Sequence, residues 1–258
     1  MTSIDGAQVL TVFDEVVASI KAVLDGLEDW GLAGTAKASQ YFSDLAADEV
    51  ALTILDRAGF GVLSEESGLT DADREVVIVL DPVDGSTNAA RGIPWFATSL
   101  CAVDADGPLA ALVVNLATGT RFSAVRGGGA FMDGRAIVPS GETELGRAVV
   151  GLSGYPPSHL GWKQYRALGA SALDLCCVAA GLLDAFVDCT WRHSAHGPWD
   201  YLGGSLVCAE AGAVCVDALG RDLVVREHEA RRTPVAAATS DLLEQLLAAR
   251  DAAVRKID

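Results

Sequence analysis

The residues best suited to chemistry lie in one short segment, Asp81-Pro-Val-Asp-Gly-Ser-Thr-Asn88. It directly follows the apolar run 76–80, which is typical of a buried strand. Pro82 fixes one φ angle and Gly85 permits a sharp turn, so the chain can reverse there. The turn would direct three oxygen groups to one point, those of Asp81, Asp84 and the Val83 carbonyl. An all-oxygen corner of this kind suits a hard cation.

The next two residues are suited to an anion. Ser86 and Thr87 stand where a new helix could begin, so hydroxyls and free backbone N–H groups would be available to a group such as phosphate. A capped turn without a ligand is the plain alternative for an isolated D-x-x-D-G string.

Further acids lie at the ends of predicted strands or on helix faces that could meet those strand ends. Glu65-Glu66 follow the run 61–63, Asp200 opens a helical pattern, and Asp48 lies at the edge of a packed helix stripe. Singly, each is typical of a solvated strand end or a helix cap. Several carboxylates that share a site repel one another unless cations bind between them. The conjunction therefore favours a cation site, and the acids concerned are Asp48, Glu65, Asp81, Asp84 and Asp200.

Apolar spacing predicts the elements that position these residues. Helices are expected over about 7–27, from an N-cap at Ser43 to Gly59, near 159–168, over 171–183, from about Asp200 and after Ser240. Strands are expected over 61–63, 76–80, 99–103, 109–115, 120–125, 149–152, 185–189 and 214–216. Short turns make the middle of the chain a largely antiparallel sheet. The expected architecture is α/β, with two sheets layered with helices and a cleft where strands of both halves end.

Composition limits the function classes. The 258 residues carry 35 acidic and 19 basic side chains, a formal charge of −16, which excludes binding to nucleic acid or a membrane surface through a general basic field. Half of the residues are hydrophobic, which excludes intrinsic disorder. No apolar leader or membrane span is visible, so a cytoplasmic location is expected. The six cysteines form no C-x-x-C pair and are expected to be reduced core residues.

The sequence resembles the inositol monophosphatase family, which comprises magnesium-dependent, lithium-sensitive phosphatases. The most specific match is 81–88, which is similar to the signature D-P-[IVL]-D-G-[ST]-[TS]-N. Trp199-Asp200 with Glu210-Ala-Gly212 resembles the second signature, W-D-x-A-A-G followed by E-A-G. Ser64-Glu-Glu-Ser67 resembles G-E-E-S, and 43–48 resembles D-x-V-T-x-x-D, with Leu and Ala in place of Val and Thr. The resemblance covers nearly the whole chain.

The resemblance implies an alternating α-β-α-β-α sandwich in a single domain, 1–258, with halves at 1–138 and 139–258, and a homodimer. It implies two or three Mg²⁺ ions, which would lower the pKa of a bound water and stabilise the leaving alkoxide. The implied metal ligands are Glu65, Asp81, the Val83 carbonyl, Asp84 and Asp200. The implied catalytic residues around the attacking water are Asp48, Glu65 and Ser86. The implied phosphate and substrate contacts are Asp84, Gly85, Ser86, Thr87 and Ser171, of which Ser171 has the alternative role of capping its helix.

One segment departs from the family pattern. Residues 184–199 form a longer stretch than in the animal inositol enzymes, and two residues compete for the contact to a substrate hydroxyl. These are Asp188, which closes a predicted strand, and His193, counted back from Asp200. A carboxylate at a fixed strand end can accept hydrogen bonds from a hydroxyl, which favours Asp188. The loop 189–198, which carries His193 and His196, would then be a specificity lid.

The implied substrate is a small phosphorylated polyol such as inositol monophosphate. Fructose bisphosphate, histidinol phosphate and phosphoadenosine phosphate are alternatives, because relatives of this fold act on them, and 184–188 resembles the archaeal-type branch with dual inositol and fructose bisphosphate activity. A pseudophosphatase that binds a phosphorylated metabolite or a partner protein is the alternative outside the enzymes. Its support is the altered 189–198 loop, and against it every expected ligand position keeps an oxygen-bearing side chain.

Overall fold

The computed structural model describes residues 5–28, 30–31, 41–190 and 195–254. It contains two β-sheets with helices packed against them, which confirms the expected α/β class. The helices are α1 (Gly6–Asp25), α2 (Phe42–Arg57), α3 (Ser86–Ala90), α4 (Ser171–Ala179), α5 (Pro198–Ala211) and α6 (Ser240–Val254), with a 3₁₀ turn at Leu145–Arg147.

The first sheet takes up the middle of the chain. Its strands are β1 (Gly61–Ser64), β2 (Gly68–Thr70), β3 (Val77–Asp84), β4 (Ala97–Asp104), β5 (Gly107–Asn115), β6 (Arg121–Val125), β7 (Gly129–Met132) and β8 (Arg135–Ala136). Their order is β2-β1-β3-β4-β5-β6-β7-β8. β1 and β3 are parallel, and the other pairs are antiparallel as expected. The parallel pair places the carboxyl ends of β1 and β3 side by side.

The second sheet belongs to the carboxyl-terminal part. Its strands are β9 (Val149–Ser153), β10 (Gln164–Arg166), β11 (Ala185–Asp188), β12 (Val214–Asp217) and β13 (Pro234–Ala237). Their order is β10-β9-β11-β13-β12, with β9 parallel to both β10 and β11. The register pairs Ser153 with Asp188, so β9 and β11 also end next to each other.

Burial on both faces explains the apolar strands. Val77 and Val79 of β3 pack in the core that contains α4 and α5, whereas Ile78 and Leu80 pack in the core that contains α1 and α2. A third core lies between the second sheet and α6. The layers therefore alternate as α1/α2, first sheet, α4/α5, second sheet and α6, which confirms the expected sandwich. Among the described residues, no helix is long and apolar enough to cross a bilayer.

Two expected helices differ from the structure. The helix expected near 159–168 is wrong: Gly161 has a φ of +108°, which an α-helix does not accommodate, and 164–166 form β10. α4 ends at Ala179 rather than 183, shortly before Gly181 with its φ of +67°. In the segment 159–168, the buried Leu160 and Trp162 alternate with exposed neighbours, which is the spacing of an extended chain and not of a helix.

The N-cap of α2 and five short strands also differ from the expectation. The N-cap of α2 is Tyr41, and Ser43 lies inside the helix, where its hydroxyl donates to the Trp30 carbonyl at 3.1 Å. The strands β2, β7, β8, β10 and β13 were not predicted, because runs of two to four residues are too short to show a clear period.

Candidate active site

A β-bulge at the end of β3 brings two of the predicted acids together. Asp81 pairs with Ser99 and Asp84 with Ala97, so three steps along β3 match two along β4. In a regular strand, residues three apart point to opposite faces. The extra residue turns both carboxylates to one side, where oxygen atoms of Asp81, Asp84 and Asp200 lie within 4.8 Å of one another. These three acids are called the acidic triad below.

Backbone donors orient the two acids of β3. Asp81 Oδ1 accepts from the Val83 N–H at 3.0 Å, and Asp84 Oδ2 accepts from the Ala172 N–H in the first turn of α4 at 2.7 Å. Both side chains are buried. Each carboxylate therefore has a fixed direction before any ligand arrives.

Asp200 comes from the start of α5. Its Oδ2 accepts from the Gly197 N–H at 2.7 Å, which orients the carboxylate at the helix N-terminus. Ser99 Oγ of β4 donates to the Trp199 carbonyl at 3.2 Å. A Cβ at Gly203 would lie 2.9 Å from that hydroxyl, so the glycine lets α5 approach the first sheet closely. The two signature segments meet because of this contact.

Glu65 follows β1 and reaches the same cleft. Its N–H donates to the Leu80 carbonyl at 3.2 Å, which keeps it beside the end of β3. Burial raises the pKa of Glu65 to about 8, and the negative charges of Asp200 and Glu66 add to the effect. Burial likewise raises the pKa of Asp81 and of Asp84, helped most by Glu65 in the first case and by Asp200 in the second.

The donor set fits a hard divalent cation. Carboxylate oxygens are the groups that Mg²⁺ takes from proteins. Burial above all raises the pKa values of Glu65, Asp81 and Asp84, and the negative charges of the neighbouring acids add to that shift. Among the described residues that line the cleft, none is lysine or arginine. Nothing in that lining therefore neutralises the acids from the protein side except His196, described below.

Asp48 is not among the described residues that line the cleft. It is buried on α2 and accepts a short hydrogen bond from the Ser64 hydroxyl, directly before Glu65. Burial raises its pKa, and the hydroxyls of Ser64 and Ser67 partly oppose that shift. Its role in orienting a water molecule stays a prediction.

Gly85 joins the bulge to α3. Its φ is +88°, and an added Cβ would lie 3.0 Å from the carbonyl oxygens of Gly169 and Trp95. The turn places Ser86 and Thr87 in the first turn of α3, immediately after Asp84. Their phosphate contacts, and coordination by the Val83 carbonyl, stay predictions.

We expect Gly85→Ala to lower the free energy of unfolding by about 1–3 kcal/mol, because it adds left-handed strain and two close contacts. Gly92→Ala is the matched control, since Gly92 has a φ of +70° but no atom within 4 Å of an added Cβ. Thermal unfolding of both variants measures the difference. Equal losses would contradict the importance of the contacts.

The cleft has a volume of about 450 Å³. Ser171 lines it as the first residue of α4; its role as the N-cap is wrong, because Ala170 occupies that position. Asp174 also lines it and accepts from the Trp95 indole N–H at 2.9 Å. Burial raises the pKa of Asp174 to about 7. The described lining residues are Glu65, Asp84, Leu152, Ser153, Gly154, Ala167, Gly169, Ser171, Asp174, Ala195, His196 and Asp200.

A histidine stands between Asp188 and the cleft. Asp188 has no exposed surface, and His196 Nε2 lies 3.8 Å from its Oδ2. The same nitrogen lies 3.0 Å from Ser153 Oγ, and Nδ1 lies 3.5 Å from Asp200 Oδ2. Burial lowers the pKa of His196, but the hydrogen bond and charge of Asp200, with Asp188, outweigh it and leave the pKa raised.

The structure therefore brings His196 to the cleft wall and keeps Asp188 behind it. Contact between Asp188 and a substrate stays a prediction, and His193 lies outside the described residues. The sequence placed His196 in a loop of uncertain length, so only its spacing from Asp200 could have pointed to it.

Comparison with known proteins decides the family. The model of the inositol monophosphatase family matches residues 43–255. The chain belongs to this family. It is 33% identical over 209 residues to a fructose-1,6-bisphosphatase from Pyrococcus furiosus, covering 79% of this chain and 80% of that one. It is 35% identical over 196 residues to an inositol-1-monophosphatase from Mesorhizobium japonicum, covering 68% and 70%.

A solved structure supports the same assignment. A Pyrococcus horikoshii protein described as having similarities for inositol-1 monophosphatase superposes with a TM-score of 0.85 at 25% identity, covering 95% of this chain and 99% of that one. This member of the inositol monophosphatase family is thus a phosphoric monoester hydrolase.

The second signature of the inositol monophosphatase family serves two purposes in this chain. Asp200 completes the acidic triad, whereas the Glu210 carboxylate accepts from the N–H groups of Gly127 and Gly129 at 2.8 and 2.9 Å. Glu210 therefore fixes the turn between β6 and β7, and α5 links that turn to the site.

Proposed function

We propose that the protein is a Mg²⁺-dependent phosphatase that hydrolyses a small phosphorylated polyol. The acidic triad carries the proposal, because its oxygens converge within 4.8 Å at the ends of two signature segments. Glu65 and the Val83 carbonyl would complete the ligand set for two or three ions. Lithium sensitivity and a homodimer belong to the same proposal and rest on the family resemblance. A cytoplasmic location is proposed with them.

The chain's own residues hold and orient the reactants. Bound Mg²⁺ supplies an acidic water and charge neutralisation for the phosphate. Asp48, Glu65 and Ser86 orient the attacking water, and the first turn of α3 offers Ser86 and Thr87 to the phosphoryl oxygens.

The lining of the cleft favours a monophosphate. A second phosphate, as in fructose bisphosphate, needs a cationic partner, and no lysine or arginine occurs among the described residues that line the cleft. The similarity to a fructose-1,6-bisphosphatase keeps that sugar in the substrate panel. The intact set of acids favours an enzyme over a pseudophosphatase.

Phosphate release tests the proposal. We expect turnover of inositol 1-phosphate or a sugar monophosphate with Mg²⁺ and none with a chelator. Fructose 1,6-bisphosphate, histidinol phosphate and phosphoadenosine phosphate complete the panel. Absence of phosphate release from every compound would contradict the phosphatase function, and equal release with and without Mg²⁺ would contradict its dependence on the metal.

A further inference from the structure

Glu65 and Asp200 reach the cleft from different elements. Glu65 follows β1 of the first sheet, whereas Asp200 lies in the first turn of α5. The negative charges of the two side chains oppose their close approach. A contact that holds both segments from behind would keep the two carboxylates in place for a cation.

The segment 228–232, called the strap below, contacts both of these segments. It is the last part of the connection between β12 and β13. His228, its first residue, has Nε2 3.1 Å from the Glu65 carbonyl oxygen. A carbonyl oxygen can only accept, so the imidazole N–H donates this hydrogen bond. The Glu65 backbone is therefore held by the strap through its carbonyl and by β3 through its N–H, which donates to the Leu80 carbonyl.

The same imidazole packs against the residue that precedes Asp200. The ring centres of His228 and Trp199 are 5.0 Å apart, and the two planes are inclined by 35°. Trp199 is buried in the first turn of α5. The His228 side chain therefore connects the backbone of Glu65 to the segment that carries Asp200.

Two arginines hold the strap against the start of α5. The guanidinium carbon of Arg231 lies 5.1 Å from the centre of the Trp199 ring, and Nη1 of the same side chain donates to the His228 carbonyl at 2.7 Å. A cation over the face of an indole is attracted by the ring. The Arg232 N–H donates to the His196 carbonyl at 2.9 Å. These contacts fix the position from which the imidazole reaches Glu65.

We propose that His228 is a positioning residue, which holds Glu65 and Asp200 at the separation that binding of Mg²⁺ requires. The inference rests on the proposed Mg²⁺-dependent function and adds a residue to its site. The described lining of the cleft includes none of the residues 228–232, so His228 acts through the Glu65 carbonyl and the Trp199 ring. Contacts behind the ligands of a metal orient them, and loss of such a contact typically lowers metal affinity by about 10–100-fold.

Metal binding without turnover tests this role. Calorimetric titration with Mg²⁺ alone measures the Kd of the wild type and of His228→Ala. We expect the Kd of His228→Ala to be higher by about tenfold or more. His159→Ala is the matched control, because the His159 ring also lies against a tryptophan, 5.1 Å from the ring centre of Trp162, but His159 does not line the cleft. We expect this control to keep the wild-type Kd.

Two further variants separate the hydrogen bond from the ring, and they keep the test decisive if His228→Ala does not fold. His228→Gln keeps an N–H donor at the distance of Nε2, and we expect it to restore most of the affinity for Mg²⁺. His228→Phe keeps a ring against Trp199 but has no donor, and we expect its Kd to be about tenfold higher than that of the wild type. A purely structural role would lower the Tm of the variants with a chelator and leave the Kd unchanged. Equal Kd values for the wild type and His228→Phe would therefore overturn the proposal.

Kinetics distinguish failure of this inference from failure of the proposed function. At saturating Mg²⁺ we expect the kcat of His228→Ala to return to within a few-fold of the wild type, whereas the Mg²⁺ concentration that gives half of the maximal rate rises with the Kd. If the wild type binds Mg²⁺ and releases phosphate but the Kd of His228→Ala is unchanged, the positioning role is wrong and the function stands. If the wild type binds no Mg²⁺, both the proposed metal dependence and this inference are wrong.

Discussion

Asp84→Asn is expected to lower kcat/KM for phosphate release by about 10³-fold, the scale on which removal of one preorganised charged group acts. The amide keeps the shape of the side chain, and its oxygen can still accept from the Ala172 N–H. The substitution removes one negative charge from three acids whose oxygens lie within 4.8 Å. The metal would therefore be lost while the fold remains.

A matched control separates the charge from the hydrogen bond. Asp184 also accepts a backbone N–H at 2.7 Å, from Val149, but it lies outside the cleft lining. Asp184→Asn is expected to keep activity within a few-fold of the wild type, since it changes only the hydrogen bonds that Asp184 accepts from the Val149 N–H and the Ser140 hydroxyl, away from the cleft. Hydrolysis by Asp84→Asn at the wild-type rate would contradict the assignment of Asp84 as a metal ligand.

The same variant has an opposite effect on stability without metal. Because burial and Asp200 raise the pKa of Asp84, the wild-type acids oppose folding when a chelator removes the cation. Asp84→Asn relieves part of that repulsion, so its Tm with a chelator is expected to exceed the wild-type value. A lower Tm would indicate that the side chain supports folding by packing rather than by binding metal.

The sequence predicts which acids form the site, but it does not predict the backbone geometry that brings them together. Motif spacing placed Asp81, Asp84 and Asp200 together, and these three converge in the structure. It did not predict the bulge between Asp81 and Asp84, because an extra residue in a ladder depends on pairing with β4 rather than on local sequence.

The residues on the part of the cleft where a substrate would bind were less predictable for a related reason. Asp188 and His196 come from a strand end and a loop, and their order towards the cleft depends on how β9 and β11 pack. The pocket lined by Trp162 and Tyr165 was not predicted, because 159–168 was predicted as a helix, whereas the structure has Gly161 with a φ of +108° and the strand β10 in that segment. Tertiary packing, not local propensity, decides these positions.

Metal and pH are expected to act together on stability. Glu65 has a pKa of about 8 in the folded protein and an ordinary value of 4.5, so the folded state holds its proton more tightly than the unfolded state. Its stabilising contribution is fully present below pH 4.5 and is lost as pH rises through about 8. Asp44 and Asp174, each raised to about 7 by burial above all, act in the same direction. With a chelator, the Tm is therefore expected to fall between pH 5.5 and 8.5.

Mg²⁺ should reverse this fall, because it binds the deprotonated acids and competes with protons. At a hundredfold excess over Kd, binding adds about 2.7 kcal/mol, which corresponds to about 5–10 °C in a chain of this size. The Mg²⁺-induced rise in Tm should be larger at pH 8 than at pH 5.5, and Asp84→Asn should abolish it. The lowered pKa of Asp217 changes stability only below pH 4, so it does not disturb the comparison. A Tm with chelator that is flat or rises over this pH range would contradict the electrostatic description of the acidic triad.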